Sequence, residues 1–372
     1  MVHENQLSVD RAVFPSMVGA GVRIRAAQGR IDAIESVAGT DPKRQPGVLL
    51  PGMIDLQVNG AGGRDCAEGT PAALDTVAGT VWEGGAVAFL PTIITAPWDV
   101  LLERLRAVGS WIRHWNGRGA EPLGIHLEGP FLEATGVHDP RCFALPTQAR
   151  IDQALEAAQG TLRLVTLAPA VPGAVDAVRR LRAAGVTVAL GHAESTDHMA
   201  ACVDAGATLV THLFNAMGPM HHRKPGVAGH ALDEARLSCP LILDGEHVHP
   251  VMVRNAWRIL GPGRFVMVTD AMAAAGMPDG RYHLGHHHFE ARNGIVRDEQ
   301  GRLAGSALTM STATAKLREF VPDMGDWSLA QVASANPARL LGADGYGAIA
   351  VGKRAAFSLL QPDGTVRAIR IG

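Results

Sequence analysis

Eight apolar runs of strand length punctuate the middle of this chain, and several stop on a Glu, His or Asp. The runs cover residues 48–55, 86–94, 123–128, 162–168, 186–192, 208–212, 237–244 and 265–270. Between most of them lie helix-like segments, at 71–83, 99–115, 148–158, 174–184, 196–205 and 250–260. Eight strands alternating with helices predict a (β/α)8 TIM-type barrel, and 372 residues leave room for one, since such barrels take roughly 250. The rival is a doubly wound open sheet, which gathers its ligands at a single crevice. Candidate ligands after the first, third, fifth, sixth, seventh and eighth runs favour a closed ring.

Both ends of the chain read differently. Residues 21–26 alternate apolar and polar, residues 29–37 continue after a turn, and 41–46 reads as a linker. Near the other end, residues 352–360 and 365–371 are again strand-like, with Pro-Asp-Gly between them. Neither end supplies enough strands for a stable sheet alone. The expectation is a small β-sandwich domain built from both, residues 1–50 and 344–372, flanking a barrel of residues 51–343. A β-hairpin is expected at 281–303 and a last helix at 327–341.

Charge and composition narrow the classes of function. The net charge is −2 with no long basic block, which argues against nucleic acid. No apolar run approaches the roughly 20 residues of a membrane helix, and no signal-peptide pattern opens the chain. The four cysteines form no Cys-x-x-Cys pair, as expected of a reduced, cytoplasmic protein.

Three of the strand-ending residues form a ligand set. Glu128, His192 and His212 give one carboxylate and two imidazoles, a catalytic zinc set with a fourth position open. One divalent metal per subunit is expected, Zn2+ by ligand type, with iron, manganese and cobalt as alternatives. Asp270 ends the eighth run and supplies a base beside a metal-activated water. Its alternative is an N-cap. Gln57 and Asn59 fall on one side of the first strand. Two histidines there would hold a second metal, whereas amides are poor ligands. The pair are candidate strand-one contacts, with hydrogen bonds to neighbouring loops as the other reading.

Other polar residues are less telling on their own. Asn215 and Arg223 follow the sixth run, and the arginine's planar fork suits phosphate. Taken alone, Arg223 reads as a solvated loop charge. His221, His222 and His249 read as loop residues. His247 is available to a substrate oxygen, and His138 in the loop after the third run to a sugar hydroxyl. His283 and the run at 286–288 read as surface residues.

The motifs Pro-Gly-Met-Ile-Asp-Leu-Gln57-Val-Asn59-Gly, His126-Leu-Glu128-Gly-Pro-Phe, Gly191-His192-Ala, Thr211-His212-Leu-Phe-Asn215-Ala216-Met, Asp244-Gly-Glu-His247, Thr269-Asp270-Ala and Leu303-Ala-Gly305-Ser occur in this order. Together they resemble the N-acetylglucosamine-6-phosphate deacetylases of the amidohydrolase superfamily, over about residues 48–341. The resemblance implies metal ligation by Glu128, His192 and His212, and general acid/base action by Asp270. It implies contacts to a phosphorylated N-acetyl amino sugar from Val137, His138, Asn215, Ala216, Arg223 and His247, and from the backbone of Leu303, Ala304 and Gly305. It also implies a homodimer in which Arg223 serves the neighbouring site. Gln57 and Asn59 match the members that bind one metal. Residues 139–145, with Cys142, depart from the family pattern.

The activity so implied is hydrolysis of the acetamide of N-acetyl-D-glucosamine 6-phosphate to D-glucosamine 6-phosphate and acetate. The enzymatic alternative is a relative acting on a cyclic amide or an N-acyl amino acid. The non-enzymatic one is an inactive barrel scaffold, which should have lost a ligand or the base.

Overall fold

The computed structural model describes residues 5–37, 41–284 and 287–372. Eight strands stand in a ring: Met53–Val58, Ala86–Ile94, Ile125–Glu128, Leu162–Leu167, Thr187–Leu190, Leu209–Val210, Cys239–Ile242 and Phe265–Val268. The first six pair in parallel in that order, and the last two pair with each other. Two parallel bridges close the circle, Leu209 to Ser238 and Val58 to Ala271. Nearly every residue of these strands is buried, because side chains meet the barrel interior on one face and helices on the other. That double burial is why they read as continuous apolar runs rather than alternating ones.

The helices pack outside the ring, among them Pro71–Glu83, Trp98–Arg113, Gln148–Ala158, Ala174–Ala183 and Pro250–Arg264. Their starts are chemically marked. The Thr70 and Thr147 side chains accept from the amides of Ala73 and Arg150, satisfying donors that a helix start leaves unpaired. Helices Met199–Asp204, Gly226–Asp233 and Met310–Phe320 complete the set, the last opened by a Thr309–Thr312 capping box.

The first apolar run proves to be two strands. Gln45–Pro51 belongs to the outer sheet and Met53–Val58 opens the barrel. The break falls at Gly52, where a Cβ would meet Val87 Cγ2 at 2.2 Å and Ala356 O at 2.8 Å. A residue without a side chain is needed where the backbone passes this close.

The outer sheet has six strands from both ends of the chain, in the spatial order Val366–Arg370, Ala356–Leu360, Gln45–Pro51, Gln6–Val13, Val18–Ala27 and Arg30–Ser36. It takes the form of one sheet curled on itself. The Arg30–Arg354 bridge and the Ala355 amide, donating to Gly29 O at 2.9 Å, bring its far edge back to the C-terminal segment. Val9, Ile24, Leu49, Phe357 and Ile371 fill the curl. Gln45 and Pro46, expected in a linker, open this strand, because Gln45 pairs with Val9 while residues 48–51 pair with Ala356–Leu360 on the other side.

Beyond the eighth strand the expected hairpin is a three-stranded sheet, Gly280–Leu284, His287–Arg292 and Ile295–Asp298. Its Phe289, Ala291 and Val296 pack with Met272, Ala304 and Ile94, which roofs part of the barrel mouth. Of the histidine run at 286–288, His286 lies outside the described residues and His288 is exposed. The last helix is interrupted by a π turn, Gln331–Ala335, between Asp326–Ala330 and Asn336–Leu341. There Ser334 donates to Gly52 O at 2.7 Å and Asn336 to Phe265 O at 2.9 Å, tying the turn to the barrel floor. Among the described residues no helix is long and apolar enough to cross a membrane.

Candidate active site

Strand ends converge at one rim of the ring. Glu128 is the last residue of the third strand, and His192, His212 and Asp270 each lie two residues past the ends of the fifth, sixth and eighth. All four are buried. His192 (φ 48°) and Asp270 (φ 51°) adopt left-handed backbone without being glycine, and so does Ala216 (φ 49°). Such conformations cost of order 1–3 kcal/mol each and cluster at functional sites. Here they turn the side chains inward just as each strand gives way to its loop.

Three atoms define a small triangle. His212 Nε2 lies 3.1 Å from His192 Nε2 and 3.1 Å from Glu128 Oε1, and the third side, His192 Nε2 to Glu128 Oε1, is 3.4 Å. A tetrahedral cation with arms of about 2.0–2.1 Å needs ligand separations of roughly 3.3 Å. The triangle therefore fits one face of a zinc-sized coordination shell. His192 Nδ1 sits 2.9 Å from Ala134 O. By donating there it leaves the Nε2 lone pair facing the triangle, the usual outer hydrogen bond of a metal-binding histidine. Glu128, His138 and His192 also offer atoms within 4.8 Å of one another. His138 stands farther off, its Nε2 3.7 Å from Glu128 Oε2.

The electrostatics ask for positive charge at the same point. Burial pushes the Glu128 carboxyl up, but the neighbouring imidazoles of His138, His192 and His212 outweigh it and hold the group well below its ordinary range. Burial, with the neighbouring His138, takes His192 down to about 4. Burial also works against charge on His212, yet Glu128 and Asp270 together pull its pKa up. Asp270 is raised to about 7, by burial first and by the charge of Glu128 second. A carboxyl group so placed can both take and return a proton near neutral pH.

The first strand approaches these groups from the side. Gln57 Nε2 donates to Glu128 Oε1 at 2.9 Å and Asn59 Nδ2 donates to Asp270 Oδ1 at 2.7 Å. Asn59 Oδ1 and His212 Nδ1 are buried without a protein hydrogen-bond partner.

A cavity of about 130 Å³ opens above the triangle. Its walls bring together Glu128, His192, His212 and Asp270 with Asn59, Val137, His138, Asn215, Ala216, His247, Leu303 and Gly305. Ala304 is buried beneath that wall, packed with Met272 and Phe289. Gln57 lies behind Glu128. Arg223 is exposed and does not line the cavity of its own chain, its backbone amide donating to His221 Nδ1 at 3.2 Å. Cys142 is half-buried in the wall of an adjoining cavity that also reaches His138 and Arg141.

Several contributors escaped the sequence. Ile94 and Ile242 line the cavity from the ends of the second and seventh strands, and only that terminal position marks them. Thr95 holds His138 Nδ1 at 2.7 Å, and Asp244 holds His247 Nδ1 at 2.6 Å. Asp244 could have been inferred from its strand-end position three residues before His247. The Ala134 carbonyl carries no sequence signal at all.

Comparison with known proteins gives a consistent pattern. The sequence profile of the amidohydrolase family matches residues 48–370. N-acetylgalactosamine-6-phosphate deacetylase of Escherichia coli O157:H7 is 38% identical over 343 residues, covering 91% of this chain and 90% of that protein. N-acetylglucosamine-6-phosphate deacetylase of Vibrio furnissii is 35% identical over 345 residues, covering 90% and 85%. Among solved structures, an aspartate-to-alanine mutant of the Mycobacterium smegmatis N-acetyl-D-glucosamine-6-phosphate deacetylase, in complex with N-acetyl-D-glucosamine-6-phosphate, matches with a TM-score of 0.91. It is 31% identical, over 98% of this chain and 97% of that one.

Proposed function

This chain belongs to the amidohydrolase family, and we propose that it hydrolyses the acetamide of N-acetyl-D-glucosamine 6-phosphate, releasing D-glucosamine 6-phosphate and acetate. The observation that carries the reading is the Glu128–His192–His212 triangle beside Asp270 in one cavity, in a chain whose relatives over nine-tenths of its length are deacetylases of amino-sugar phosphates. That support favours an acetamide over a cyclic amide or an N-acyl amino acid. The complete set of ligands and base speaks against an inactive scaffold.

Glu128, His192 and His212 would hold one divalent ion, Zn2+ by the N/O ligand set. When bound, such an ion supplies Lewis-acid polarisation of the carbonyl and lowers the pKa of water. Asp270 takes the proton from the attacking water and returns it to the departing amine. Its burial and its nearness to Glu128 suit it to both transfers. The Thr95 hydroxyl, 2.7 Å from His138 Nδ1, fixes that ring. With Thr95 donating, the His138 proton sits on Nε2, and from the cavity wall it can serve as a donor to the acetamide oxygen as charge develops there. His247, held by Asp244, and Asn215 bind the sugar phosphate, so that binding energy remote from the amide orients it for attack. Arg223 completes the phosphate site of a neighbouring subunit in a homodimer. The protein works in the cytoplasm.

Acetate release from phosphorylated and plain N-acetylglucosamine tests this reading. Turnover should require the phosphate, and equal rates on both sugars would overturn it. The E. coli relative at 38% identity acts, by its name, on the galactosamine epimer. N-acetyl-D-galactosamine 6-phosphate is therefore the second substrate to assay.

A further inference from the structure

The first barrel strand reaches the site with two amides and no charged ligand. A terminal carboxylate torsion is broad and nearly two-fold, so nothing in a glutamate or aspartate side chain itself decides which oxygen faces the chemistry. In this site each carboxylate has one oxygen claimed. Gln57 Nε2 donates at 2.9 Å to Glu128 Oε1, the same oxygen that lies 3.1 and 3.4 Å from the two histidine Nε2 atoms. The far end of that amide, Gln57 Oε1, accepts the Thr211 hydroxyl at 3.1 Å, one residue before His212. A single side chain thus links the strand ends that carry Glu128 and His212.

Two residues on, Asn59 does the matching task for the base. Its Nδ2 donates to Asp270 Oδ1 at 2.7 Å, while its backbone amide donates to Ala271 O at 2.7 Å. With Oδ1 facing a donor, Oδ2 is left as the oxygen that accepts a proton. Alternation along a strand puts residues 57 and 59 on one face, so one strand serves both carboxylates. An NH2 directed at a carboxylate does not ligate a cation.

We propose that Gln57 and Asn59 are positioning residues with separate duties, Gln57 orienting the metal-facing oxygen of Glu128 and Asn59 selecting the proton-accepting oxygen of Asp270. The proposal rests on the metal-dependent deacetylase reading. Removing an outer hydrogen bond of this kind weakens metal binding about tenfold to a hundredfold. Displacing a reacting group by about 1 Å costs up to about a hundredfold in rate.

The test pairs Gln57→Met with Asn59→Leu, each measured for zinc affinity by chelator competition and for kcat and KM. Gln57→Ala and Asn59→Ala stand in if either larger replacement fails to fold. Gln57→Met should weaken zinc binding about tenfold or more, with its deficit in turnover shrinking as zinc is raised. Asn59→Leu should bind zinc within about twofold of wild type while kcat falls about tenfold to a hundredfold, KM changing less. Any other pairing of losses overturns the division of duties, including equal loss of zinc in both variants. Wild type assayed alongside separates this outcome from failure of the deacetylase reading, which would leave the unaltered protein without zinc or without turnover.

Discussion

Asp55 offers a way to weigh burial against hydrogen bonding at the base of the site. It is 2% exposed, yet its carboxylate accepts from the Thr269 hydroxyl at 2.6 Å, the Thr269 amide at 3.2 Å and the Gln57 amide at 3.3 Å. Burial wins, and the pKa rises from 3.8 to about 6. At 1.36 kcal/mol per pH unit, the gap amounts to about 3 kcal/mol. Because the folded state holds this proton more tightly than the unfolded one, the stability involved is full below pH 3.8 and is lost as pH climbs through about 6. Asp55→Asn removes the titration and keeps the shape. The asparagine Oδ1 still accepts from both amides, and its Nδ2 faces the Thr269 hydroxyl, which can turn to Gln57 O at 3.5 Å. Urea unfolding with a chelator present, repeated from about pH 4 to about pH 7, compares the two proteins under conditions where the other titrating groups largely cancel. Variant stability minus wild-type stability should rise by about 2.4 kcal/mol across that range, mostly below about pH 6. A difference that is flat, or that falls with pH, would refute the argument.

Other outcomes follow from the same geometry. Asp270→Asn should keep zinc and lower kcat by about 10² to 10⁴, and near-normal acetate release by the metal-loaded variant would remove Asp270 from its role. A bound dication should pull Asp270 below its metal-free value of about 7, so the acid limb of kcat against pH should lie below 7, and a limb above that value counts against the assignment. Arg223→Ala should raise KM for the phosphorylated sugar and leave a phosphate-free analogue unaffected. Equal effects on both would exclude a phosphate contact. Zinc at a thousandfold over its Kd should add about 4 kcal/mol of stability, readable as a rise in Tm that chelation reverses. An unchanged Tm would mean that the triangle holds no ion.

The legible part of this fold is the part made of two-sided burial. Strands such as Phe265–Val268 must be apolar throughout, so Asp270 stands out where the run stops. The same contrast marks Glu128, His192 and His212. The outer sheet was harder to read, because its strand Gln45–Pro51 owes its form to pairing with Gln6–Val13 on one side and with Ala356–Leu360, some three hundred residues away, on the other. The break at Gly52 was invisible because residues 48–50 before it and 53–54 after it are all apolar, and only the approach of Val87 and Ala356 shows why a glycine is there. Within the site, residue type was readable but orientation was not. Nothing in the sequence says that Asn59 turns its amide to Asp270, or that a backbone carbonyl at Ala134 sets the His192 ring. Arg223 is the extreme case, since its own chain gives it no place in the cavity.

The central claim is that one metal ion at Glu128, His192 and His212 makes this barrel a deacetylase. Metal-free protein titrated with Zn2+, with acetate release from N-acetyl-D-glucosamine 6-phosphate followed against metal bound per chain, tests it directly. The account predicts no turnover without metal and a linear rise that levels off at one ion per chain. Turnover that survives chelation, or a rise that begins only with a second ion, would contradict it.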